Sequence, residues 1–350
     1  MKFMTEDVII TTKGRTGCIS LNRPRALHAL TQHMCRTISE VLLGWADDPA
    51  IELVIIDHHQ GRGFCAGGDV RRAAESGAAD GADARAFFLT EYRLNHLMFG
   101  YAKPIIAFMD GVTMGGGAGV ALPCRARVAT ENTLFAMPEA TIGLFPDVGA
   151  CWYLSRLPGR TGAFLALTGA RLDGAECLHL SLASHYLAAA SLAEVKNALA
   201  ADPQDWRTIL DTAGVMPPEA RIARNHALID RLFTSDAVEE ILEALRQDDS
   251  RWAARELQTL NSKCPMTMKV ALRLLRESAT RTDFAEQMRQ EYAIAARMSS
   301  RHDFVEGVRA LLVDKDGVPR WEPADPAEID AAMVDAIFAP MGEGEQWQPL

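Results

Sequence analysis

No C-x-x-C pair occurs in this chain, and its seven cysteines, Cys18, Cys35, Cys65, Cys124, Cys151, Cys177 and Cys264, are odd in number and scattered. Neither a disulfide framework nor a zinc site is indicated, and a reducing cytoplasm fits best. Nine histidines include the adjacent pair His58-His59 but no H-E-x-x-H or comparable spacing, which argues against a metal centre. There is no G-x-S-x-G elbow and no G-x-x-x-x-G-K-[ST] loop, so the usual serine-hydrolase and P-loop chemistries drop out. Long apolar runs are missing as well. The least charged long stretch, Gly111 to Cys124, is too short and too rich in glycine to span a membrane. At the N-terminus Glu6 and Asp7 interrupt the stretch where a secretory signal needs unbroken apolar residues. Positive charge is in deficit, 36 Lys+Arg against 46 Asp+Glu for a net charge of −10. That balance argues against a nucleic-acid surface while leaving room for a local basic pocket.

What is present is the composition of an ordinary soluble globular protein, 48% hydrophobic and 23% charged over 350 residues, enough for one large domain and a smaller appendage. Asp7–Thr12 and Thr16–Leu21 flank Lys13-Gly14 and read as a hairpin. From Thr31, a plausible N-cap, Met34, Ile38, Val41, Leu42 and Trp45 recur at helical spacing until Asp48-Pro49. Leu53–Asp57 is a nearly all-apolar strand of the kind buried on both faces. A glycine-rich loop, His58 to Asp69, comes next. Arg71 to Arg85 has small and acidic residues with little to pack and reads as a mobile surface excursion. A helix from about Arg85 to Tyr101, the strand Ile105–Met109, a helix opened by Gly115-Gly116-Gly117, and strands Arg127–Thr130 and Thr133–Met137 complete a layered α/β pattern. Beyond Trp152 the spacing turns helical, with segments at Gly162–Thr168, Leu192–Ala200, Ala237–Arg246, Met266–Arg276 and Phe284–Met298. We therefore expect an α/β core over residues 1–200 that holds the catalytic residues, and a mainly helical region over 201–350 packed on it.

Three pieces carry chemistry. The loop Phe64-Cys65-Ala66-Gly67-Gly68-Asp69 puts two glycines before a helical start, where backbone N–H groups can meet an oxygen that gains charge. Gly115–Gly117 opens a second helix in the same way. Each alone also fits a turn or close helix packing; together they can form a two-donor oxyanion hole. Glu139 and Asp147, each directly after a proline, are separated by Gly143 and Pro146 and so do not share one regular helix. The turn between them can bring both carboxylates to one substrate group, for nucleophilic or acid/base work. The plainer alternative makes them caps, Asp147 of a helix beginning at Val148. Glu91, on a helix, is expected at the surface by default, and Arg23 and Arg25 form a small basic group suited to a phosphate or to solvent.

The segments GRGFCAGGD, GVTMGGGAG and FAMPEATIGLFPDVGA resemble the enoyl-CoA hydratase/isomerase (crotonase) superfamily, and the tail from Arg301 to Pro323 with the paired PE and FPDVG is similar to its 3-hydroxyisobutyryl-CoA hydrolase branch. The resemblance covers nearly the whole chain. It implies a crotonase-like spiral of strand-strand-helix units and a helical C-terminal region, acting on a coenzyme A thioester. Coenzyme A is part of the substrate, and no separate cofactor or metal is implied. By motif position the oxyanion donors are Gly68 and Gly116, Glu139 is the catalytic glutamate, and Asp147 is the aspartate of the hydrolase branch. Glu91 falls where that branch contacts substrate, while Ala66 and the Arg23–Ala26 segment, with Arg25 and Ala26, fall along the coenzyme A groove. Hydratases resembling this chain carry a second glutamate at the position of Gly119. Its loss, with the gain of Asp147, favours hydrolysis of 3-hydroxyisobutyryl-CoA, a valine-degradation step, over enoyl-CoA hydration or isomerisation and over passive acyl-CoA binding. Relatives in the superfamily often form trimers or hexamers, so a homo-oligomer is possible; no nucleic-acid or membrane partner is expected.

Overall fold

The structure, a computed structural model, describes the backbone of residues 3–5 and the whole of residues 7–350. Glu6, one of the two acidic residues noted at the N-terminus, lies outside the described residues. The strands in chain order are β1 (Phe3–Thr5), β2 (Val8–Lys13), β3 (Thr16–Leu21), β4 (Leu53–His58), β5 (Gly63–Cys65), β6 (Ile105–Phe108), β7 (Val112–Met114), β8 (Ala126–Ala129), β9 (Leu134–Ala136), β10 (Leu172–Asp173) and β11 (His185–Tyr186). Among the described residues they form one sheet in the order β1-β2-β3-β4-β6-β8-β11 and a smaller one in the order β10-β9-β7-β5. The expected hairpin is present, with Val8 opposite Leu21 and Lys13 opposite Thr16. From β3 onward the large sheet is parallel, and the apolar run Leu53–Ile56 of β4 is buried, as strands covered on both faces require.

Successive units give one strand to each sheet: β4 then β5, β6 then β7, β8 then β9. The first two are followed by helices, so the chain winds as a spiral of strand-strand-helix turns. Helix α1 (Gln32–Ala46) starts where Thr31 accepts the Met34 N–H, and Met34, Ile38 and Leu42, one turn apart, are fully buried. Burial of each such side chain contributes about 1.5–3 kcal/mol.

The segment read as a mobile excursion is instead helical: α2 (Val70–Gly77) leads into α3 (Ala82–Phe99). Ala73, Ala74 and Ala84 are buried there, and α2 packs on α3 and on the helix His302–Val308. Small side chains permit close helix approach, and the partner lies far away in sequence. Further on come α4 (Gly116–Ala121) and α5 (Ala150–Leu154), and then mainly helices, of which Phe284–Met298 runs along α3. No helix among the described residues is long and apolar enough to cross a membrane.

Candidate active site

Three neighbouring parallel strands of the small sheet deliver the chemistry. β5 pairs with β7 and β7 with β9, all parallel, so their carboxyl ends lie side by side. The chain leaves β5 into Ala66–Gly67–Gly68, leaves β7 into Gly115–Gly116, and leaves β9 into Pro138–Glu139. Carboxyl ends of parallel strands are where α/β proteins place ligands. A cavity of about 290 Å³ opens there, bordered by Gly68, Gly116, Glu91, Glu139 and Asp147 together with Phe87, Phe88, Ile142 and Leu144.

Main-chain donors border this cavity. Among the described residues neither the Gly68 nor the Gly116 N–H makes a hydrogen bond, although the neighbouring Asp69 and Gly115 amides both do. Gly67 turns the first loop at φ +119°, open to glycine alone. A methyl group on Gly116 would lie 3.1 Å from the Gly68 nitrogen and would overlap Glu91 Oε1, so any side chain there must displace the Glu91 carboxyl and crowd the Gly68 amide.

Three acids border the same cavity, close to those loops. Glu91, Glu139 and Asp147 are only 1%, 5% and 4% exposed. Glu91 Oε1 and Glu139 Oε2 have no hydrogen-bond partner, whereas Asp147 Oδ2 accepts a 2.6 Å bond from the Tyr92 hydroxyl. Burial raises all three carboxyls above the ordinary range, and the nearby Asp147 charge adds to the rise at Glu91 and Glu139. Asp147 itself is pushed up to about 7 by burial, with the Tyr92 hydroxyl pulling the other way. Protons are therefore held within the cluster near neutrality, as acid/base work needs.

Local structure explains the aim of these groups. Glu139 heads a single 3-10 turn, its carbonyl accepting from Ile142 and Leu144 N–H. The helix expected to begin at Val148 begins at Ala150, and Asp147 caps nothing with its side chain. In its place Val148 takes φ +56° and Gly149 φ +80°. A β-branched residue in the left-handed region costs on the order of 1–3 kcal/mol, which the surroundings must supply. Glu291, fully buried, accepts the Gly149 N–H at 2.7 Å. Burial pushes its carboxyl up to about 8 against that bond and one from Gln287.

The structure thus brings Gly68, Gly116, Glu91, Glu139, Asp147 and Ala66 to one cavity. Glu91 is not at the surface, the default for a charged residue on a helix: its side chain lies against the Gly68 and Gly116 loops, distant segments whose arrival cannot be read locally. Arg25 and Ala26 are exposed and do not line the cavity; their loop is tied to Ala66, whose N–H donates to Leu27 O at 2.9 Å. Arg23 is bonded to Ala29 O and Asp69 rather than left to solvent. Sequence reasoning missed Arg171, Leu311 and Leu312 at the cavity, and Tyr92 and Glu291 behind it, bonded to Asp147 and to the Gly149 N–H. A hydroxyl directly after Glu91, and a Gln287–Glu291 pair at helical spacing, were the only signals.

Fold and family together define an enzyme of the crotonase class. The chain belongs to the enoyl-CoA hydratase/isomerase family, which it matches over residues 16–338. It is 40% identical to the human mitochondrial 3-hydroxyisobutyryl-CoA hydrolase over 349 residues, covering 97% of this chain and 90% of that protein. The Gallus gallus mitochondrial 3-hydroxyisobutyryl-CoA hydrolase is 39% identical, with the same coverage. Among solved structures, a carnitinyl-CoA dehydratase from Mycobacterium thermoresistibile superposes with a TM-score of 0.92 at 39% identity, covering 96% of this chain and 97% of that one. An enoyl-CoA hydratase from Rhodobacter sphaeroides gives 0.91 at 36% identity, covering 98% and 99%.

Proposed function

We propose that this enzyme hydrolyses 3-hydroxyisobutyryl-CoA, or a close 3-hydroxyacyl-CoA, to the free acid and coenzyme A. The observation that carries the reading is that unbonded N–H donors, of Gly68 and Gly116, and unbonded carboxyl oxygens, of Glu91 and Glu139, belong to residues bordering one cavity. A thioester carbonyl supplies an acceptor for the first, and a 3-hydroxyl or a water supplies a donor for the second. The Gly68 and Gly116 amides would hold the oxyanion of the tetrahedral intermediate. Glu139 attacks the carbonyl carbon to give a transient anhydride that water opens, or removes a proton from the water that attacks directly. In either route the electron pair of the C–S bond leaves with sulfur, and Asp147 manages the protons of water and thiol. The pantetheine arm would pass Ala66, and the exposed Arg25–Ala26 turn offers a basic group for phosphate.

A hydratase reading is favoured by the names of the two solved relatives, and one contact weighs against it. A side chain on Gly119 would begin 2.5 Å from Val148 Cβ, so the place of a second hydratase glutamate is filled. Seven free cysteines suit a reducing compartment such as the cytoplasm, although the vertebrate relatives are named as mitochondrial. Thiol release from 3-hydroxyisobutyryl-CoA, run beside absorbance loss on a short enoyl-CoA, tests the proposal. Fast release with no enoyl turnover is expected; the reverse pattern would replace hydrolysis by hydration.

A further inference from the structure

Two residues beyond Asp147 the backbone is anchored from the far end of the chain. The Gly149 N–H donates to Glu291 Oε2 at 2.7 Å, and Glu291 Oε1 accepts from Gln287 Nε2 at 2.8 Å. Gln287 Oε1 in turn accepts from Ser278 Oγ at 2.8 Å and from Arg281 Nη1 at 2.9 Å. The guanidinium has only donors, so the Gln287 amide cannot flip and must present its NH₂ to Glu291. Each bond in the series therefore has one allowed direction, ending with a carboxyl oxygen that accepts the Gly149 N–H. Gln287 and Glu291 are both fully buried, so water does not compete for these bonds. Phe284, on the same helix, closes the other side: a methyl on Gly149 would sit 2.6 Å from its ring.

We propose that Glu291 is a positioning residue for Asp147: by accepting the Gly149 N–H it holds the left-handed Val148–Gly149 pair that turns Asp147 into the cavity, and the Arg281–Gln287 bond fixes the direction of that hold. The inference rests on the reading of Asp147 as a catalytic group. Its mechanical part, the hold on the 147–149 turn, does not depend on which reaction is run.

A charge-neutral exchange of the two buried side chains isolates that part. In E291Q the new NH₂ must face either the Gln287 NH₂ or the Gly149 N–H, and one bond is lost whichever way it turns. In the double variant E291Q/Q287E every donor regains an acceptor. The amide oxygen introduced at position 291 serves Gly149, while the carboxylate introduced at position 287 gives one oxygen to the new NH₂ and the other to the Ser278–Arg281 pair. For thiol release from 3-hydroxyisobutyryl-CoA, E291Q is expected to lose at least tenfold in kcat with KM within about threefold, and the double variant to return to within about threefold of the parent. Amide exchange over residues 145–152 should quicken at least tenfold in E291Q and recover in the double variant. Unchanged exchange in E291Q, or a folded double variant whose exchange and kcat both stay at the E291Q level, would overturn the inference. A parent enzyme that releases no thiol would instead overturn the hydrolase reading, and the exchange arm would still decide the role of Glu291.

Discussion

Two sets of polar groups border the cavity and differ in kind: main-chain donors, Gly68 and Gly116 N–H, without acceptors, and carboxyl oxygens of Glu91 and Glu139 without donors. The amide donors are main-chain groups held at the ends of the paired strands β5 and β7, and they do not titrate. The acids are adjustable, since they titrate and only Asp147 has a bonded partner of its own, Tyr92. Each unmet group costs stability, about 1–3 kcal/mol when buried. The two costs are complementary, so one ligand that is both carbonyl and hydroxyl relieves both. A binding site can thus be recognised by two opposite deficits bordering one cavity, where either alone reads as a packing fault.

Disabling the acids should have the largest effect. Glu139→Gln keeps size and removes both attack and proton transfer, so kcat for thiol release should fall roughly 10³-fold with KM nearly constant. Among the amide donors, Gly116→Ala pushes a methyl toward Gly68 N and Glu91; a loss of about 10² in kcat is expected in the same assay. A loss larger than that of Glu139→Gln would invert the ranking of the two sets.

The partnered acid sharpens the contrast further. If Asp147 works as a carboxylate, its contribution is present above its pKa and is lost as pH falls through about 7. Tyr92→Phe removes a donor to the charged form, which moves the acid limb of the kcat–pH profile upward and costs roughly fivefold at pH 7 for the first unit moved. The smallest effect concerns stability. Glu91 binds its proton more tightly in the folded than in the unfolded chain, so its contribution to stability falls as pH rises from the unfolded carboxyl value toward its raised folded one. Glu91→Gln should therefore raise the melting temperature at pH 8 by roughly 1–3 °C and flatten its decline with pH.

Much of this was legible from local pattern. The Thr31 cap, the apolar run of β4, the two glycine loops and the Pro-Glu and Pro-Asp pairs all act through neighbours within a few residues, and sequence spacing records such neighbours directly. What stayed hidden depends on distant partners. Helix α2 looked unpackable until the helix His302–Val308 supplied its cover, Glu91 looked exposed until the Gly68 and Gly116 loops enclosed it, and no local rule turns Val148 left-handed. The strands β10 and β11, two residues each, carry too little alternation to register.

The acceptor for Gly149 is separated from it by 142 residues of chain. During synthesis the glycine loops, Glu139 and Asp147 all emerge well before it does. A ribosome-bound nascent chain or a fragment truncated ahead of residue 291 therefore carries the glycine loops, Glu139 and Asp147 without the acceptor for the Gly149 N–H. If Glu291 holds the acidic turn as proposed, such a chain is expected to release no thiol until its C-terminal helices have docked.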